Sequence, residues 1–155
     1  MATPITANLG TTTALTITLA SLATSTTGVG RQSTFVDNTT TLAQFLRIYF
    51  KVTTGTSPTA NKTIQFYLLT QDKASSPNVV TDGAGASDAG LTIVTATQVY
   101  VVQTTSTSNQ TYQDSFLIRN PGTAWAIAVV HDTAVNLNAT GSNHAIYYVA
   151  ENQQV

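Results

Sequence analysis

The side chains best suited to acid–base chemistry in this chain are His131, Asp132 and His144. Imidazole titrates near neutrality, and a neighbouring carboxylate can orient it. Nothing completes the set. The chain has no Gly-x-Ser-x-Gly elbow for a nucleophilic serine and no His-x-x-x-His pair for a metal. His131 directly follows the strand-like run Trp125–Val130, so a strand-end histidine beside a turn-forming Asp132 is the competing reading. Asp82 and Asp88 lie in and after the Gly-rich stretch Asp82-Gly83-Ala84-Gly85-Ala86, and loops of oxygen donors are how proteins hold calcium. Two carboxylates six positions apart lack the dense acidic spacing of an EF-hand, so an ordinary surface loop competes with that reading. Glycoside hydrolysis needs two acids held about 5 to 9.5 Å apart in a cleft. Only seven acidic residues exist, mostly beside turns or strand ends, and no pair stands out. No catalytic, cofactor-binding or metal-binding residue is therefore assigned, and a structural or binding role is expected rather than an enzymatic one.

Aromatic side chains are the next candidates, because tyrosine and tryptophan make stacking platforms and interface anchors. Trp125 shares its strand parity with Ile127 and Val129, which points to the core. Tyr147 and Tyr148 are adjacent, so in a strand they point to opposite faces and one is exposed. Tyr49, Tyr67, Tyr100 and Tyr112 join an exposed stripe only if the strand register aligns them. A ligand platform and ordinary sheet packing are both open. Arg31, in the Gly28-Val29-Gly30-Arg31 loop, and Asp37 are either solvated side chains or contacts to another subunit or surface. The Asn-x-Ser/Thr sequons at Asn38, Asn61, Asn109 and Asn138 are close to chance in so Ser- and Thr-rich a chain and carry no weight.

The elements that position these residues are strands. Leu15, Ile17 and Leu19 alternate with Thr16, Thr18 and Ala20; Leu46, Ile48 and Phe50 oppose Arg47, Tyr49 and Lys51; Ile64, Phe66 and Leu68 face one way in the next run. Val99–Val102, Phe116–Ile118, Trp125–Val130 and Ala145–Val149 supply the remaining candidates. Turn-forming stretches separate them, at Gly55-Thr56-Ser57-Pro58, Ser75-Ser76-Pro77-Asn78, 105–110, Asn120-Pro121-Gly122 and 138–143. With no long helical pattern available for parallel crossovers, about eight such strands predict an all-β fold, an antiparallel β-sandwich of jelly-roll type. Residues 79–90 read as the one sizeable loop. Arg47, Lys51, Lys62 and Lys73 are candidates to protect sheet edges. Residues 1–13, small and Thr-rich, read as an extended or flexible arm before a single domain over 14–155.

Composition narrows the partners. Charged residues are 8% of the 155, against about 25% in an average soluble domain, and the net charge is −1. Without a Lys/Arg cluster the electrostatic term behind nucleic-acid binding is missing, so neither nucleic acid nor an anionic membrane is an expected partner. Weak self-repulsion leaves close homo-oligomeric packing, as a dimer or trimer, electrostatically cheap. No apolar run reaches the roughly 20 residues of a spanning helix. The start Met1-Ala2-Thr3-Pro4 does not read as a secretion signal, so a cytoplasmic site of assembly is expected.

Several stretches resemble one group of proteins. Thr16-Ile17-Thr18-Leu19-Ala20-Ser21-Leu22, then Gly28-Val29-Gly30-Arg31-Gln32-Ser33 and Val36-Asp37-Asn38, look like the opening of small virion proteins of tailed bacteriophages. Thr54-Gly55-Thr56-Ser57-Pro58-Thr59-Ala60-Asn61, the loop 81–89 and Leu137-Asn138-Ala139-Thr140-Gly141-Ser142-Asn143-His144 resemble that group's later turns. The likeness spans most of residues 14–150. It implies a structural protein on the capsid surface, of the decoration or cement type, with the major capsid protein as partner and the bacterial cytoplasm as the place of assembly. It carries over no functional residue. The alternative is a tail-associated β-sandwich that binds host-surface carbohydrate through exposed tyrosines.

Overall fold

A computed structural model of the chain describes residues 6–73 and 79–154. The turn expected at Ser75-Ser76-Pro77-Asn78 and the first five residues of the arm lie outside them. The strands, in chain order, are β1 (Thr6–Leu9), β2 (Thr13–Ala14), β3 (Val29–Gln32), β4 (Val36–Asp37), β5 (Phe45–Thr53) and β6 (Thr63–Gln71). They continue with β7 (Ala89–Thr92), β8 (Thr97–Gln103), β9 (Thr111–Arg119), β10 (Ala124–His131) and β11 (Ala145–Gln154). One sheet runs β1-β11-β5-β9, with β2 further along the same edge of β11; the other runs β7-β3-β10-β6-β8, with β4 continuing beside β10. All pairings are antiparallel. With the short β1, β4 and β7 set aside, the strands pair first with last (β2 and β11), second with seventh (β3 and β10), third with sixth (β5 and β9) and fourth with fifth (β6 and β8). That is one long hairpin folded over on itself, the jelly-roll arrangement.

Period-2 alternation builds the core. Leu46, Ile48, Phe50 and Val52 of β5 and Ile64 and Phe66 of β6 point between the sheets, and Trp125, Ile127 and Val129 of β10 meet them. Phe50 and Phe66 lie 4.5 Å apart by ring centroid, Phe66 and Phe116 5.5 Å, and Tyr100 stacks on Phe116 at 5.1 Å, closing the side where β8 and β9 approach.

The central strand β10 is buried at every position, which alternation alone does not predict. Its outward residues Ala124, Ala126 and Ala128 are small. Over Ala126 and Ala128 lies the segment 80–96, which buries them and Leu69 and Ala84 together with Phe35, Tyr67, Leu91 and Ile93. Part of the expected loop 79–90 is thus a cover for the second sheet, and its end forms β7. The buried Gln32 amide donates to the carbonyls of Gly85 (2.6 Å) and Ser87 (3.0 Å) and pins the cover down.

Three expectations need correcting. Residues 15–19 keep their alternation, with Leu15 and Leu19 buried, yet they join no ladder. This segment crosses from one sheet to the other: Leu15 N–H donates to Ile146 O, while Thr16 O accepts from Thr34 N–H. The Gly28–Arg31 stretch, read as a loop, instead supplies Val29–Arg31 of β3. Gly28 does have positive φ (+80°), but Gly30 is there for space, since a Cβ would stand 2.2 Å from Val129 O. Arg47 and Lys51 guard no edge, because β5 is an interior strand.

Candidate functional site

The predicted acid–base group braces one end of the sandwich. Nε2 of His131 and of His144 each faces a carbonyl, so each ring carries its proton there. His131 donates to Leu22 O (2.9 Å), and His144 donates to Asn138 O (2.8 Å). The same two carbonyls accept from the backbone N–H of Leu137 and Ser21. His131 Nδ1 lies 3.0 Å from Thr133 Oγ1, and His144 Nδ1 accepts from Thr53 N–H at 3.4 Å. Burial pushes both imidazoles below their ordinary pKa. Asp132 turns elsewhere: it accepts from Thr63 N–H (2.6 Å) and pairs with Lys62 (3.5 Å). The three side chains are brought to one end of the fold but make no relay.

The acidic loop residues are spent in the same way. Asp82, in a left-handed conformation (φ +54°), accepts from the N–H groups of Val94, Thr95 and Ala96 and from the Thr95 hydroxyl. Burial opposes its ionisation, but these donors outweigh it and hold the carboxyl below the usual range. Asp88 pairs with Arg31 (Nε to Oδ1, 2.5 Å) and accepts from Thr18 (2.6 Å). Asp37 pairs with Lys73 (2.6 Å), and its carboxyl lies far below the usual range for that reason, helped by Thr39. Arg31 and Asp37 therefore hold this chain's own segments together. Among the described residues no group of three His, Asp or Glu side chains gathers at a spacing fit for a metal ion. Asn38 is buried and ties Ala43 and Gly122 together.

The tyrosines separate by register. Tyr148 packs edge-on against the buried Trp125, with centroids 4.9 Å apart. Tyr67 lies under the 80–96 cover. Tyr100 donates to Asp114, and the Tyr112 hydroxyl accepts from Thr105 N–H at 2.8 Å. Tyr147 and Tyr49 remain, and they are direct cross-strand neighbours on the outer face of the first sheet. Each is 42% exposed. In the same row Ala14 pairs with Tyr147 and Ser115 with Tyr49, and in the next row Lys51 stands between Ala145 and Gln113. Small neighbours leave the two rings uncovered at their flanks. A groove of about 470 Å³ opens beside them, lined also by Asp114. Lys51 donates to Ser142 O (2.8 Å), and Asp114 accepts from Tyr100 and from Ser115 N–H, so both charges at the rim are engaged.

This face is the best-formed candidate site. The outward parity of Tyr49 and the exposure of one member of the Tyr147–Tyr148 pair were legible in the sequence. Their juxtaposition, with Ser115 and Gln113 at the rim, was not, because register between β5, β9 and β11 sets it. The chain matches no family model, no curated protein and no solved structure.

Proposed function

We propose that the chain is a structural protein of a tailed-phage virion, a decoration or cement protein that sits on the outer surface of the capsid and stabilises the shell against which it docks. The observation that carries this reading is the use made of ionisable groups. All six basic side chains have partners within the chain: Arg31, Arg47, Lys62 and Lys73 in ion pairs, Lys51 on a carbonyl, and Arg119 over the Phe45 ring. Asp37, Asp82, Asp88, Asp114, Asp132 and Glu151 are engaged likewise. These ionisable groups brace the scaffold, which supports a rigid, weakly charged module with a structural role. The resemblance of stretches within residues 14–150 to small virion proteins suggests the particle and the major capsid protein as partner.

The mechanism is mechanical. Binding only to assembled shell adds a free-energy term absent from dissociated subunits, about 2.7 kcal/mol per site at a concentration 100 times the dissociation constant, and many copies multiply it. A weakly charged surface also permits self-association into a small oligomer at a capsid junction. Quantitative mass spectrometry of purified particles tests the proposal. Copy numbers comparable with the major shell protein support it; absence, or the handful of copies typical of a tail component, overturns it.

A further inference from the structure

We propose that the groove beside Tyr49 and Tyr147 is a binding site for a neutral, pyranose-containing glycan. This goes beyond the shell role and rests on different residues.

Directly opposed residues in an antiparallel pair stand about 4.5 to 5.5 Å apart at Cβ, comparable with the length of one sugar ring. Tyr49 and Tyr147 are such a pair, and both are substantially open to solvent. The face of a phenol ring carries negative potential, and the face of a pyranose presents weakly positive C–H groups, so the two stack. The small side chains of Ala14, Ala145 and Ser115 around the pair give a ring lateral access that larger neighbours would block.

The rim favours a polyol over an ion or a greasy peptide. The phenols of Tyr49 and Tyr147, the Gln113 amide and the Ser115 hydroxyl hold no hydrogen bond to another described residue. They offer donors and acceptors of both kinds at the edges of the stacking surface, the complement of a hydroxyl-rich ligand. The charges nearby are already committed, Lys51 to Ser142 O and Asp114 to Tyr100. Lys51 and Asp114 are of opposite sign, so the groove presents no net charge to an anionic sugar, which is the argument for neutrality. Pockets that bind small ligands are commonly of about 300 to 1,000 Å³, and this one, at about 470 Å³, falls within that range.

The test is a glycan array carrying neutral and anionic glycans, probed with the full chain and with Tyr49→Ala, Tyr147→Ala and Val101→Ala. Val101 is 49% exposed on β8 of the other sheet and controls for non-specific apolar contact. Thermal melts establish that the variants remain folded, as expected for exposed positions. Binding to at least one neutral glycan, insensitive to added salt and weakened about tenfold or more by either tyrosine change while Val101→Ala leaves it intact, supports the site. Three outcomes overturn it: no neutral glycan bound, anionic glycans alone bound, or neutral binding that survives loss of both tyrosines. A fourth is sedimentation showing a concentration-dependent oligomer that either tyrosine change dissolves, which would make the face a contact between copies. None of these outcomes bears on copy number in the particle.

Discussion

Gly30 is the position where a single methyl group tests the packing of β3 against β10. A Cβ built there stands 2.2 Å from Val129 O and 2.7 Å from Val130 Cγ2, whereas real Cβ atoms stay beyond 3.0 Å of such neighbours. The carbonyl belongs to a strand buried on both faces, so it cannot swing away, and β3 must retreat by roughly 0.8 Å, the difference between those limits. That movement stretches the 2.8 Å bond from Ser33 N–H to Ile127 O and draws the Gln32 amide from the Gly85 and Ser87 carbonyls. Overpacking costs about 1–3 kcal/mol and each weakened hydrogen bond about 1 kcal/mol, so Gly30→Ala is expected to lose about 2–4 kcal/mol. For a chain of this size that lowers Tm by roughly 5–15 °C. Gly85→Ala is the control: a Cβ there meets nothing within 4 Å, and its cost stays within about 0.5 kcal/mol. Urea denaturation followed by Trp125 fluorescence, with a thermal melt alongside, measures both. Equal midpoints for Gly30→Ala and the parent chain would refute the account and return residues 28–31 to a loop.

Other perturbations read other parts of the structure. The folded pKa values of His131 and His144 are depressed by burial, while the unfolded chain binds protons near pH 6.5. Their contribution is therefore complete above about pH 6.5 and is lost as pH falls below it; a urea midpoint that holds or rises from pH 7.5 to pH 5 would contradict this. Phe66→Ala, which empties the centre of the aromatic cluster at a fully buried position, is expected to cost about 3–5 kcal/mol in the same assay. Asp82→Ala removes the acceptor for three N–H groups and a hydroxyl and should cost about 1–3 kcal/mol. Calcium or a chelator should leave the parent melt unchanged, and a calcium-dependent rise in Tm would reinstate a metal at this loop. Asp88→Asn, which weakens the pair with Arg31, should speed amide exchange within 80–96 while leaving β5 and β11 protected.

How much was legible depended on whether the signal was local. The inward faces of β5 and β6 could be read from alternation, because each carries a polar side and an oily side. β3 and β7 could not: four residues each, with Gly30 and Gly90 inside them, they resemble loops until a neighbouring strand is present. The alternation of residues 15–19 records burial, and burial was met by crossing between sheets rather than by pairing within one. The histidines show the same limit at the candidate chemistry. Their types and their closeness to Asp132 suggested a relay, whereas their partners, Leu22 and Asn138, are carbonyls that carry no sequence signature.

The amino-acid sequence by itself determined the all-β class, the inward faces of the long strands, the burial of Trp125 and the exposure of one of Tyr147 and Tyr148. Each follows from side-chain parity along a strand, a property of a few consecutive residues. Only the tertiary structure decided which strands pair, that the 80–96 segment covers the second sheet, and that Tyr49 lies beside Tyr147. Those are matters of register between distant segments, and a slip of one residue would turn the same side chains to the opposite face.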